Sequence, residues 1–168
     1  TKVGDRFFIF YTALSTYPFT PHGIKVGLAI TRDFKSIEEK HLVTHFNAKA
    51  MALFPSKING LYYAILTVDT DNPPAKIALA SFDCLEQMWS PEYWGRWYYQ
   101  LDRHILHISQ KPDDHLEVGA PPVKTRFGWL LFYSHIEDYF KPPVTFGIRA
   151  LLLDKDKPHH IIAQTEEP

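Results

Sequence analysis

A rigid turn, Gly119-Ala120-Pro121-Pro122, feeds Val123-Lys124-Thr125 and then the aromatic run Gly128-Trp129-Leu130-Leu131-Phe132-Tyr133. Proline fixes φ, lacks a backbone donor and keeps the residue before it out of the helical region, so this segment enters extended. The rest of the chain follows the same plan. Strands are expected over residues 6–12, 26–31, 50–55, 61–68, 76–81, 129–134, 145–153 and 160–164, each a run of β-branched, aromatic and alternating apolar residues. Asn59-Gly60, between two such runs, is the strongest short hairpin signal in the chain. Helical periodicity is weak throughout, and most of the thirteen prolines lie between the runs. The fold class expected is all-β.

With 168 residues and 45% hydrophobic content, the chain is long and apolar enough for one domain with a sizeable core. Net charge is −1 with both signs interspersed, so the basic stripe that nucleic-acid binding requires is missing. Cys84 is the single cysteine, which excludes an intrachain disulfide and leaves no cysteine-based zinc site. His104 and His107 stand three apart and His159 and His160 are adjacent, but no carboxylate or cysteine completes a metal pattern around either pair. No metal and no cofactor are expected. There is no apolar run of membrane-spanning length and no signal peptide, so the expected setting is cytoplasmic, with no membrane partner. Phosphate-cradling glycine loops and serine-nucleophile elbows do not occur.

A loose repeat runs through the chain. Ala29-Ile30-Thr31-Arg32-Asp33-Phe34 is echoed by Leu79-Ala80-Ser81-Phe82-Asp83 and, more distantly, by Leu151-Leu152-Leu153-Asp154. Units of roughly 40 to 50 residues with about four strands each read as propeller blades, about three of them here. Three open blades would leave raw edges, so the reading is either a piece of a larger propeller or a sandwich with a chance repeat.

Several segments, in order, carry a resemblance: Phe7 to Thr12, Gly27-Leu28-Ala29-Ile30-Thr31-Arg32-Asp33-Phe34 and Ala52-Leu53-Phe54-Pro55-Ser56-Lys57-Ile58-Asn59-Gly60. Gly119 to Thr125, Gly128 to Tyr133 and Ala150 to Asp154 continue it. Together they resemble glycoside hydrolase family 130, the β-mannoside phosphorylases and related mannosidases. The resemblance implies a five-bladed β-propeller with its active site at the central axis, of which residues 1–168 form a partial domain. It also implies that the general acid aspartate lies in a Glu-Asp-Pro-Arg segment just upstream of the strand matched by Phe7 to Thr12. The chain begins after that point, and the expectation is a piece lacking the first and last blades.

Residue by residue, Lys124 matches the lysine of the family's Pro-Pro-Ile-Lys-Thr motif and is the candidate phosphate ligand. Phosphorylases of the family carry an arginine where this chain has Thr67, and Tyr-His-Gly where it has Tyr133-Ser134-His135. A one-residue displacement on a strand sends a side chain to the opposite face, so His135 is not a replacement for that histidine. With two phosphate ligands missing, the expected chemistry is hydrolysis with inversion, water being activated by a carboxylate. Phosphate-dependent phosphorolysis releasing mannose 1-phosphate is the alternative, and a non-catalytic carbohydrate-binding piece is a second.

An inverting hydrolase places its acid and base about 6.5 to 9.5 Å apart. Glu117, before the Gly-Ala-Pro-Pro turn, and Glu137 or Asp138, after Tyr133-Ser134-His135, are the candidate bases, with Glu117 and Glu137 taken first. Asp138, Asp69, Tyr133, Asn47 and Lys49 are the candidate sugar contacts, since amide, ammonium and carboxylate groups pair with hydroxyls. Lys49 matches the lysine of the family's Asn-Lys-Asp, although Ala48 and Ala50 replace its neighbours. The segment 89–100 holds three of the four tryptophans, as a sugar-stacking platform on a lid, a contact in a homo-oligomer, or a packed loop cap. An oligosaccharide or glycoside is the expected partner.

Overall fold

In the computed structural model, which describes residues 1–141 and 143–166, the chain forms three antiparallel sheets in chain order. The first holds β1 (Lys2–Val3), β2 (Arg6–Leu14), β3 (Ile24–Thr31) and β4 (Glu39–Leu42). The second holds β5 (Ala48–Leu53), β6 (Tyr62–Val68) and β7 (Lys76–Phe82). An isolated bridge between Ala78 and Ile105 adds a short fourth edge, with Leu79 N–H donating to His104 O and Leu106 N–H to Ile77 O. In the third sheet, β8 (His115–Val118) and β9 (Val123–Lys124) both pair with β10 (Trp129–Glu137), followed by β11 (Thr145–Leu153) and β12 (Ile161–Gln164).

The second sheet is the middle layer, and its alternation serves two cores at once. Ala64, Leu66, Val68, Ala78, Ala80 and Phe82 face Phe8, Val26, Leu28 and Ile30 of the first sheet. Ile65, Ile77 and Leu79 face Leu116, Val118, Leu131, Tyr133 and Leu151 of the third. A strand buried on both faces reads as a continuous apolar run, which explains Ala64-Ile65-Leu66 and Ile77-Ala78-Leu79-Ala80. The outer sheets bury one face each. Their other faces leave Ile9, Tyr11 and Leu42 exposed on the first sheet, and Phe132, Phe146 and Ile148 on the third.

The repeated aspartate has a structural role. Asp33, Asp83 and Asp154 follow β3, β7 and β11, one strand in each sheet. Asp33 Oδ1 accepts from Lys35 N–H at 2.8 Å and Ser36 N–H at 2.9 Å. Asp154 Oδ1 accepts from Asp156 and Lys157 N–H, both at 2.8 Å, closing the same kind of Asx turn. Asn59 and Gly60 have φ of 50° and 84°, and Ile58 and Leu61 exchange both backbone bonds around them. Two positive φ values define the type I′ hairpin that Asn-Gly signals. At Gly128, φ is 149° and a Cβ would lie 2.2 Å from Leu153 O, so only glycine fits there.

One element departs from the all-strand expectation: Pro91–Tyr99 is an α-helix, α1. Ser90 Oγ caps it by accepting from Tyr93 N–H at 3.2 Å, with Pro91 in the first turn. Trp94 and Trp97 are buried in the core between the first two sheets. Their indole N–H groups donate to Met88 O and Leu79 O. Those two rings therefore cannot form a sugar-stacking platform; of the three readings of this segment, they serve the packed cap.

Candidate functional site

The first strands of the second and third sheets, β5 and β8, approach each other, and a cavity of about 380 Å³ opens where they meet the first sheet. Its walls include Thr1, Phe8 and Phe10, the bulged stretch Ala50-Met51-Ala52, and Val118 through Pro121. The bulge lies between Lys49 and Ala52 of β5, and Ala50 has φ of 50° there. A positive φ on a residue with a Cβ costs energy and persists only where packing over-determines it. Thr1 is held in the wall by its hydroxyl, which donates to Leu53 O at 2.8 Å.

One residue before each strand enters that wall, Lys49 and Glu117 form an ion pair, Nζ to Oε1 at 2.5 Å. His115, two residues back on the same face of β8, donates Nε2–H to the same oxygen at 2.9 Å. The His115 ring is buried and stacks on Tyr139, centroids 4.3 Å apart at 14°. Glu117 Oε2 has no hydrogen-bond partner among the described residues, and the side chain keeps 26% of its surface exposed. The bond from His115 is the largest influence on the carboxyl. Partial burial opposes it, but Lys49 reinforces it, and the pKa falls to about 2. Ser134 is the residue opposite Glu117 on β10 and shares its face.

The other residues singled out in the sequence fall elsewhere. Asn47 is spent on structure: its amide N donates to Pro21 O at 2.6 Å, and its Oδ1 accepts from Thr70 N–H and the Thr70 hydroxyl. Asp69 is buried, paired with Lys76 at 3.1 Å and accepting from the Tyr98 hydroxyl at 3.2 Å. Both join loops at one end of the second sheet. Tyr133 is fully buried on the face packed against that sheet, with its hydroxyl unpartnered, so its ring does not share the face of Ser134 and Glu117. His135 also lies inward, bound through Nε2 to Asp114 Oδ2 at 2.7 Å. Burial works against the ionised Asp114, but bonds from Lys111 N–H and His135 outweigh it and lower its pKa.

Glu137, at the end of β10, accepts from Arg149 across the β10–β11 pair at 3.0 Å. Asp138 follows in an exposed turn with φ of 51°. Lys124 is exposed, 5.5 Å from the Trp129 ring. It pairs with Trp129 where Glu117 pairs with Ser134, five residues along β10, a separation of about 17 Å. Lys124 and Glu117, the partner of Lys49, therefore do not converge within the third sheet. Thr67, at the position of the family arginine, is buried and its hydroxyl accepts from Val118 N–H.

Sequence reasoning named Lys49 and Glu117, which the structure brings together, but not His115. The available signal was His115-x-Glu117 on an extended segment, a spacing that puts both side chains on one face. Among the described residues no three His, Cys, Asp or Glu side chains gather as a metal site, and no helix is long and apolar enough to cross a membrane.

No protein-family model matches the chain. It is 26% identical, over an alignment of 170 residues that covers 100% of the chain, to a β-1,2-mannobiose phosphorylase of Listeria innocua. It is 29% identical over 160 residues, 93% of its length, to a β-1,4-mannooligosaccharide phosphorylase of Ruminococcus albus. It covers 42% of each of these curated relatives, less than half their length. A solved structure of the Listeria innocua β-1,2-mannobiose phosphorylase with β-1,2-mannobiose superposes on the whole chain with a TM-score of 0.75 at 24% identity, the chain covering 43% of it. A family 130 structure from work on glycoside hydrolases that target β-1,2 mannosidic linkages in Candida mannan matches over 98% of the chain, and 48% of its own, with a TM-score of 0.67 at 16% identity. The homologues of this chain are mannoside phosphorylases of glycoside hydrolase family 130, and its fold is found among that family's structures.

Proposed function

We propose that the protein containing this chain cleaves β-mannosides with inversion at the anomeric carbon, and that water rather than phosphate is the nucleophile. In this reading the three sheets are consecutive blades of a five-bladed propeller, with β1, β5 and β8 nearest the axis and the cavity between them as part of the sugar site. The general acid is the aspartate of the family's upstream segment, which would join the chain at Thr1, a residue of the cavity wall. Glu117 or Glu137 activates water, and Lys49 faces the sugar hydroxyls.

The observation that carries the reading is the state of the cations. Phosphate is a dianion that needs uncompensated positive charge and donors when desolvated. Lys49 is already neutralised by Glu117, and a buried threonine stands where the family arginine would be. Product analysis of the full-length protein on β-linked mannobioses, with and without inorganic phosphate, tests it. Free mannose irrespective of phosphate supports hydrolysis. Mannose 1-phosphate formed only with phosphate overturns it.

Phosphorolysis is the second reading, favoured by the activities of the curated relatives. Lys124, exposed and without an acidic partner among the described residues, would be its phosphate ligand. Absence of product under both conditions would leave a sugar-binding module.

A further inference from the structure

We infer that Glu117 is not a proton acceptor but a fixed hydrogen-bond acceptor for a hydroxyl of the bound pyranoside, and that His115 is the residue that positions it. This rests on the mannoside reading above and assigns a role within that site. The geometry is asymmetric. Lys49 from β5 and His115 from β8 converge on the same carboxylate oxygen, Oε1. Oε2 is left without a protein partner among the described residues, on a side chain that still reaches solvent.

A carboxylate held by one oxygen has its second oxygen fixed in direction, which suits reading a hydroxyl and needs no reorganisation on binding. General-base work asks for something else. A base should bind a proton readily near the working pH, and a carboxylate held at about 2 by two donors does not. Glu117 meets the Lys49 ammonium from the second sheet and the His115 Nε2–H donor on its own strand, with uncharged Ser134 opposite on β10. Both partners favour the ionised form of Glu117. Tyr139 stacks on His115 and so keeps its Nε2–H aimed at Oε1. The cavity beside the pair falls in the size range of small-molecule sites, and its wall is largely apolar with Phe8 and Phe10, as the C–H faces of a sugar require.

The test uses the full-length protein and β-linked mannobiose. Glu117→Gln should weaken binding about ten- to hundredfold, the scale of a hydrogen bond to a charged group, and appear mainly in KM, with kcat changed less. His115→Phe keeps a ring against Tyr139 but removes the donor; it should raise the Glu117 titration midpoint and weaken binding by a smaller factor. His115→Gln, which restores an N–H donor, should recover part of both. In the unaltered protein Glu117, followed by carboxyl NMR, should stay ionised from pH 8 to pH 5.

Loss of kcat by a hundredfold or more in Glu117→Gln at unchanged KM would make Glu117 the base and overturn the inference. So would a Glu117 midpoint near the ordinary carboxylate value in the unaltered protein, a readout that needs no ligand. Failure of the unaltered protein to bind any manno-oligosaccharide would instead overturn the mannoside reading, and this assignment with it.

Discussion

Thr67 Oγ1 accepts a hydrogen bond from Val118 N–H at 2.9 Å, tying the middle strand of the second sheet to the first strand of the third. The hydroxyl is fully buried and does the work of a backbone acceptor between two sheets. Thr67→Val should therefore leave the Val118 N–H buried and unpaired, at about 1 to 3 kcal/mol. Thr67→Arg, which would imitate the phosphorylase pattern, should cost more, because a long charged side chain must be forced into a fully buried, packed position. Urea denaturation of the full-length variants checks both; an Arg variant as stable as the parent would show that the two sheets can part at this point.

Ala50 shows how a strained backbone position can aim a side chain. Its φ of 50° turns β5 at the bulge that follows Lys49. Ala50→Gly should be tolerated or mildly stabilising, whereas Ala50→Val should destabilise by about 1 to 3 kcal/mol, since β-branched residues resist that region. Thermal unfolding of the pair of variants separates a backbone requirement from a volume requirement.

The buried pair Asp114–His135 predicts a different pattern. Asp114→Ala leaves His135 without its partner and should cost about 3 to 5 kcal/mol. Replacing both, as Asp114→Leu with His135→Phe, should recover much of that loss. Denaturant midpoints of the two single variants and the double variant form the cycle that decides it. Additive losses would mean that the two residues do not act as a pair.

Glu117 links folding to pH in a definite direction. Its folded pKa is depressed to about 2, below the unfolded value. Its contribution is thus complete above the unfolded pKa and is lost as pH falls through the folded one. The stability gap between the parent and Glu117→Gln should be about 1 to 3 kcal/mol at pH 7 and shrink from pH 4.5 toward pH 2. Melts at pH 7, 4 and 2.5 read this directly; a gap that widens on acidification would contradict the ion pair.

With Glu117 proposed for binding, Glu137 is the first candidate base left, ahead of the neighbouring Asp138. Glu137→Gln should lower kcat by about a hundredfold or more, with a smaller change in KM. A single-turnover assay on mannobiose is the measurement. Unchanged turnover would place the base on another part of the protein.

What could be read from the sequence follows from which forces act locally. Strands flanked by turn residues were legible because period-two burial and type I′ chemistry at Asn59-Gly60 are local properties. The aspartate echo was legible for the same reason, since Asp33 and Asp154 each close a turn with their own neighbours, while Asp83 bonds the Gln87 side chain. Helix α1 was hidden by its aromatic content, although Ser90-Pro91-Glu92 is a helix-start signal. β4 and β8 were missed because four polar-mixed residues carry too little period to register. For the site, residue type alone could not show that Asn47 and Asp69, polar groups suited to sugars, already bond to loops brought together in space.

The two outward apolar faces have a consequence for anyone who isolates residues 1–168. Ile9, Tyr11 and Leu42 form one sticky end, and Phe132, Phe146 and Ile148 form a different one at the far side of the three layers. Copies meeting end to end through unlike surfaces make a heterologous contact, which propagates into rings or open fibres rather than stopping at a dimer. Such a piece would scatter light more steeply with concentration than a closed oligomer does, and an added charge on either end alone would be enough to cap the growth.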